Sequence, residues 1–112
     1  MNESYLNTAA NKLAQEVGLD PIMIITVLMG LFSCLKNDDD KPTPEAQIAH
    51  AKEQVNQNER RVLRVARRHA RQAGVPRDKI YRTAAAVVNT IKMSNDAELK
   101  ESFKEMEARQ SV

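Results

Sequence analysis

One cysteine, Cys34, stands in 112 residues, which excludes an intrachain disulfide and gives no reason to place the chain in an oxidising compartment. Tryptophan is missing, aromatic residues make up 4% of the chain, and there are 3 glycines and 4 prolines. That is too little turn chemistry for a protein of short strands, so the composition predicts an all-α fold built from Ala, Val, Ile, Leu and Met. Phosphate-cradling glycine loops, a nucleophile elbow and a close carboxylate pair are also missing, so neither an enzyme nor a cofactor is expected. Long apolar runs are confined to residues 22–35, IMIITVLMGLFSCL. Fourteen residues at helical rise span about 21 Å against a bilayer core of roughly 30 Å, which argues against a membrane span.

The first twenty residues carry Lys12 against Glu3, Glu16 and Asp20 and so lack the basic start of a secretory signal. The polar segment after Cys34 superficially suggests a lipoprotein signal, but the apolar run begins late and its flank is acidic. A cytoplasmic location is the default expectation. At this length one domain is expected, with a core only just sufficient, and oligomerisation is a natural way to enlarge it.

A formal charge of +2 conceals three blocks. Residues 1–59 hold four lysines and nine acids, residues 60–82 hold eight arginines, one lysine and one acid, and residues 83–112 hold four basic and five acidic groups. The middle is strongly basic and both flanks are acidic.

Leu6, Ala9, Ala10, Leu13, Ala14 and Val17 recur at helical spacing behind Ser4, a plausible cap, and Gly18 stops that helix. Asp20 followed by Pro21 restarts the chain as a cap with proline at the first helical position. The helix over residues 22–35 is apolar all round, so other helices must wrap it or a second subunit must share it. Lys36 to Pro42 is a charged connector; its aspartates lack the glycine and glutamate spacing of a calcium loop. Thr43 with Pro44 opens a long third helix that nothing is expected to break before Gly74, with Asn58 interrupting its apolar stripe. A fourth helix opens at Val75 and Pro76, and Asn95 with Glu98 predicts a capping box before a fifth, carrying Leu99, Phe103 and Met106. His50 and His69 would lie about 28 Å apart on the long helix and could not share a metal. Cys34 reads as a buried small hydrophobe.

These elements make about five helices: a hairpin over 1–36, an acidic linker over 37–43, and a basic hairpin plus C-terminal helix over 44–109, all in one compact domain. Residues 13–36 align with residues 69–92, matching Ala14 to Ala70, Gly18 to Gly74, Ile24 to Ile80 and Lys36 to Lys92. Both halves share a helix, glycine, helix pattern.

Ala70, Gly74, Val75 and Ile80 together resemble the helix-turn-helix of DNA-binding proteins, although Thr83 stands where an aliphatic anchor is usual. The resemblance implies that Arg77, Lys79, Tyr81 and Arg82 face bases or phosphates. The same spacing at Ala14, Gly18, Leu19 and Ile24 is followed by Asp20, Pro21, Ile22 and Met23, which offer nothing to DNA. The pattern therefore marks a helical hairpin, and the arginines are what set the second copy apart.

Arg60, Arg64, Arg67 and Arg71 form one helical ridge, with Arg61 and Arg68 beside it. Like charges at that spacing repel by about 0.2–0.5 kcal/mol per pair, so the ridge weakens its helix unless an anion neutralises it. The leading expectation is DNA or RNA bound through phosphates with weak sequence preference. The alternative is a helical adaptor or assembly subunit that docks this ridge on an acidic protein surface; in either case a homo-oligomer is expected. Asp38, Asp39 and Asp40 are expected to dock on the basic face in the free protein.

Overall fold

Three of the helix starts expected from sequence are made by their own side chains. Ser4 Oγ accepts from the Asn7 amide at 3.1 Å, Asp20 Oδ1 from Ile22 at 2.9 Å and Thr43 Oγ1 from Ala46 at 3.1 Å. Each satisfies an amide that the first helical turn leaves without an intrahelical acceptor. The computed structural model describes residues 4–36 and 43–110. Among them all regular structure is helical: α1 (Tyr5–Val17), α2 (Pro21–Leu35), α3 (Pro44–Gln57), α4 (Glu59–Gln72), α5 (Ile80–Met93) and α6 (Asp96–Gln110). The acidic residues 37–42, with the docking expected of Asp38, Asp39 and Asp40, lie outside the described residues.

Six helices replace the expected five because the long third helix is broken. Asn58 adopts φ −123° and ψ 41° and ends α3 while starting α4. Its Nδ2 donates to Gln54 Oε1 at 3.2 Å, the local side-chain bonding that makes asparagine a better helix end than a helix interior. A second difference lies after Gly74. Arg77–Lys79 form a short 3₁₀ turn, and the α-helix begins only at Ile80. The capping box before α6 forms as expected: Asn95 N–H donates to Glu98 Oε1 at 2.9 Å and Glu98 N–H to Asn95 Oδ1 at 2.8 Å.

α2 lies at the centre and touches α1, α3, α4, α5 and α6. Its Ile24, Val27, Leu28, Leu31, Phe32 and Leu35 are all buried, and the Phe32 ring meets Phe103 of α6 edge-on at 5.0 Å. The core face of the apolar helix is thus covered within one chain, and no second subunit is needed to bury these six residues. The helix is not uniformly covered, however, for Ile22 is 71% exposed. Cys34 is likewise exposed, not buried as its apolar surroundings suggest.

The two halves correspond more closely in burial than in sequence. Leu6, Ala10, Ala14, Ile24, Leu28, Leu31 and Leu35 are buried, and so are the residues 56 positions later: Val62, Ala66, Ala70, Ile80, Ala84, Val87 and Ile91. Gly18 and Gly74 are both left-handed, at φ 72° and 86°, a conformation open to glycine because it lacks Cβ. Leu19 N–H donates to Ala14 O, and Val75 N–H donates to Ala70 O, both at 3.0 Å. Ile48, Ala51 and Val55 of α3 are buried as are Leu99, Ser102 and Met106 of α6. Some contacts pair under exchange of the halves, α1 with α6 and α4 with α3, α2 with α6 and α5 with α3; the α2–α4 and α2–α3 contacts have no counterparts of equal extent. Thr83, the counterpart of Val27, is fully buried, and its hydroxyl has no hydrogen-bond partner among the described residues. It fills an aliphatic position at a cost of about 1–3 kcal/mol for the desolvated oxygen.

Candidate functional site

α4 presents three buried residues, Val62, Ala66 and Ala70, to the core. Six of its eleven other residues are arginines, and they divide into groups. Arg61, Arg64, Arg68 and Arg71 line a cleft of about 730 Å³ with Lys36 at the end of α2 and His50 and Gln54 on α3. The apolar part of the same lining comes from Leu31, Leu35, Val62 and Val65. Buried Gln47 of α3 helps shape this place, donating from Nε2 to the Leu35 carbonyl at 3.2 Å, one of the carbonyls that a helix end leaves open.

The other basic residues face elsewhere. Arg67 sits over the Tyr81 ring, 5.0 Å from its centroid, a cation–π contact. Arg60 and Arg77 are exposed outside the cleft. Lys79 Nζ donates to Gly18 O at 3.0 Å and Arg82 Nη2 to Glu16 O at 3.2 Å. Both cations therefore close the carbonyl end of α1, where the helix dipole favours positive charge. The expected ridge of Arg60, Arg64, Arg67 and Arg71 is accordingly split, with two members in the cleft, one on Tyr81 and one free of both.

Carboxylate counter-charge among the described residues goes to lysines. Among the described residues the ion pairs are Lys36 with Glu107 at 3.8 Å, Lys52 with Asp96, and Lys92 with Glu59 at 3.3 Å. Glu59, the acid nearest the arginines in sequence, is thereby engaged by α5. No carboxylate among the described residues lines the cleft.

The break at Asn58 places His50 and His69 on different helices. Among the described residues no group of three or more His, Cys, Asp or Glu side chains could hold a metal. His69 Nε2 lies 3.6 Å from Cys34 Sγ, a neighbour that sequence spacing does not reveal. Burial, and secondarily the charge of Arg68, hold the His69 imidazole below its ordinary range, so it is neutral at pH 7. The ring fits because residue 30 is glycine: a Cβ there would lie 2.5 Å from His69 Nδ1.

No helix among the described residues is long and apolar enough to cross a membrane. Compared with protein-family models, curated proteins and solved structures, the chain matches none.

Proposed function

We propose that this protein is a non-enzymatic nucleic-acid-binding protein that neutralises phosphates with the arginines of α4 and has weak sequence preference. The observation that supports this reading is the convergence of Arg61, Arg64, Arg68 and Arg71 on one cleft without an acidic partner among the described residues. Unneutralised like charges on one helix cost stability, and the planar guanidinium fork matches phosphate oxygens in pairs. Reading of bases by α5, as in a helix-turn-helix, is the less favoured mode, because Lys79 and Arg82 already serve the carbonyl end of α1.

The test is a titration of random-sequence DNA and RNA across a range of salt. Log K should fall by roughly 0.9 per duplex phosphate neutralised, or about 0.7 for single strands. Replacing Arg61, Arg64 and Arg68 together by Ala should lower the slope by about 2–3. Salt-independent association, or none at about 50 mM salt, would remove the reading. Binding to an acidic protein in the absence of any nucleic-acid affinity would establish the adaptor or assembly role in its place.

A further inference from the structure

Of the four aromatic residues in the chain, three are used by the fold. Phe32 and Phe103 are buried, and the hydroxyl of half-buried Tyr5 shares a hydrogen bond with Ser94 Oγ at 3.0 Å. Tyr81 is the exception, 69% exposed within the most basic stretch of the sequence. Its counterpart 56 positions earlier, Ile25, packs against the core. The counterpart of Arg67, which lies over the Tyr81 ring, is the exposed Asn11. The repeated scaffold therefore requires neither member of the Arg67 and Tyr81 pair. A lone exposed apolar side chain calls for no explanation, but an exposed aromatic ring held against a guanidinium in an arginine-rich surface has a chemistry of its own.

Arg67 Cζ stands 5.0 Å from the ring centroid, so the cation covers one face of Tyr81 and restrains the side chain by its attraction to the π electrons. The exposure of Tyr81 is left to the opposite face and the ring edge. A nucleobase stacks on such a free face whatever its identity, because every base has a π surface. Phosphate-binding groups stand close by. Arg77, also exposed, precedes Tyr81 by four residues. Arg64 and Arg71 flank Arg67 at the three- and four-residue spacings that make neighbours on a helix surface, about 5–6 Å apart at Cβ. Both also line the arginine cleft, so a strand whose phosphates lie there brings its bases close to Tyr81. Bases inside a duplex are stacked on one another and offer no free face until they are taken out of the helix.

We propose that the open face of Tyr81 is a stacking site for an unpaired nucleobase. Arg67 holds the ring from behind, while Arg64, Arg71 and Arg77 engage the adjoining phosphates. The proposal rests on the nucleic-acid reading above and adds to it a contact that the interior of a duplex cannot make. It differs from groove reading by α5, since it uses the face of the ring and no base edge.

Fluorescence anisotropy tests this with three labelled ligands: a single strand of about 12 nucleotides, the same length of abasic strand, and a duplex of about 60 base pairs, whose ends are few. Tyr81→Leu should weaken binding of the normal strand by about fivefold or more and of the other two ligands by less than about twofold. Tyr81→Phe keeps the ring and should stay within about twofold of the wild type on all three. The exposed position leaves the core untouched in both variants, which a thermal melt checks. A second readout does not depend on removing the ring. The chain has no tryptophan and two tyrosines, so in Tyr5→Phe all tyrosine emission comes from Tyr81; the single strand should quench it, and the duplex at matched absorbance should not. No loss in Tyr81→Leu, equal loss on the normal and abasic strands, equal loss in Tyr81→Phe, or no selective quenching overturns the stacking site and leaves the nucleic-acid reading standing. Failure of the wild type to bind any of the three ligands at about 50 mM salt overturns both.

Discussion

Gly30 shows how one missing side chain sets the approach of two helices. Alanine in a helix interior is normally favoured over glycine by about 1 kcal/mol, yet here its Cβ would enter the His69 ring. Gly30→Ala is expected to destabilise the protein by about 1–3 kcal/mol, and adding His69→Ala should recover most of that loss in a urea-melt double-mutant cycle. Additive effects of the two changes would show that the ring does not constrain Gly30. His69 and Cys34 also mark the limit of what sequence reveals about single residues. Their neighbours are 35 positions apart, and an apolar run such as residues 22–35 does not say which side chain is left on the outside.

At the scale of helices, the starts made by a side-chain cap were legible, while the break at Asn58 and the late start of α5 at Ile80 were not. Ser4, Asp20, Thr43 and Asn95 act on amides two or three residues away, so the relevant chemistry is contiguous in sequence. Asn58 is different, because a mid-helix asparagine costs little by itself, so its presence alone does not announce a break. The roles of Lys79 and Arg82 were hidden for a related reason, since their acceptors lie more than sixty residues away in α1. The arginine spacing revealed a basic helix, but not a cleft whose other walls belong to α2 and α3. If the cleft is the binding element, replacing Lys79 and Arg82 together by Ala should cost about 1 kcal/mol of stability and shift nucleic-acid affinity by less than about threefold. A loss as large as that of the Arg61, Arg64 and Arg68 triple variant would return the helix-turn-helix mode to first place.

The whole molecule is two three-helix halves that bury matching positions and share one core. Its radius of gyration of 13.2 Å is about that of a compact domain of this length, and α2 finds its covering inside the chain. A monomer of 12.6 kDa is therefore the expected result of size-exclusion chromatography with light scattering, and a mass near twice that value would show that the chain recruits a second copy. The halves are also tied between α1 and α6: Glu105 of α6 accepts from the Tyr5 amide at 2.9 Å and the Leu6 amide at 2.8 Å, placing a carboxylate at the positive end of the α1 dipole. A circular permutant with the two ends joined by a short flexible linker and the chain opened at the exposed break at Asn58 keeps every helix whole. It begins with the arginine half and repeats the same succession of elements.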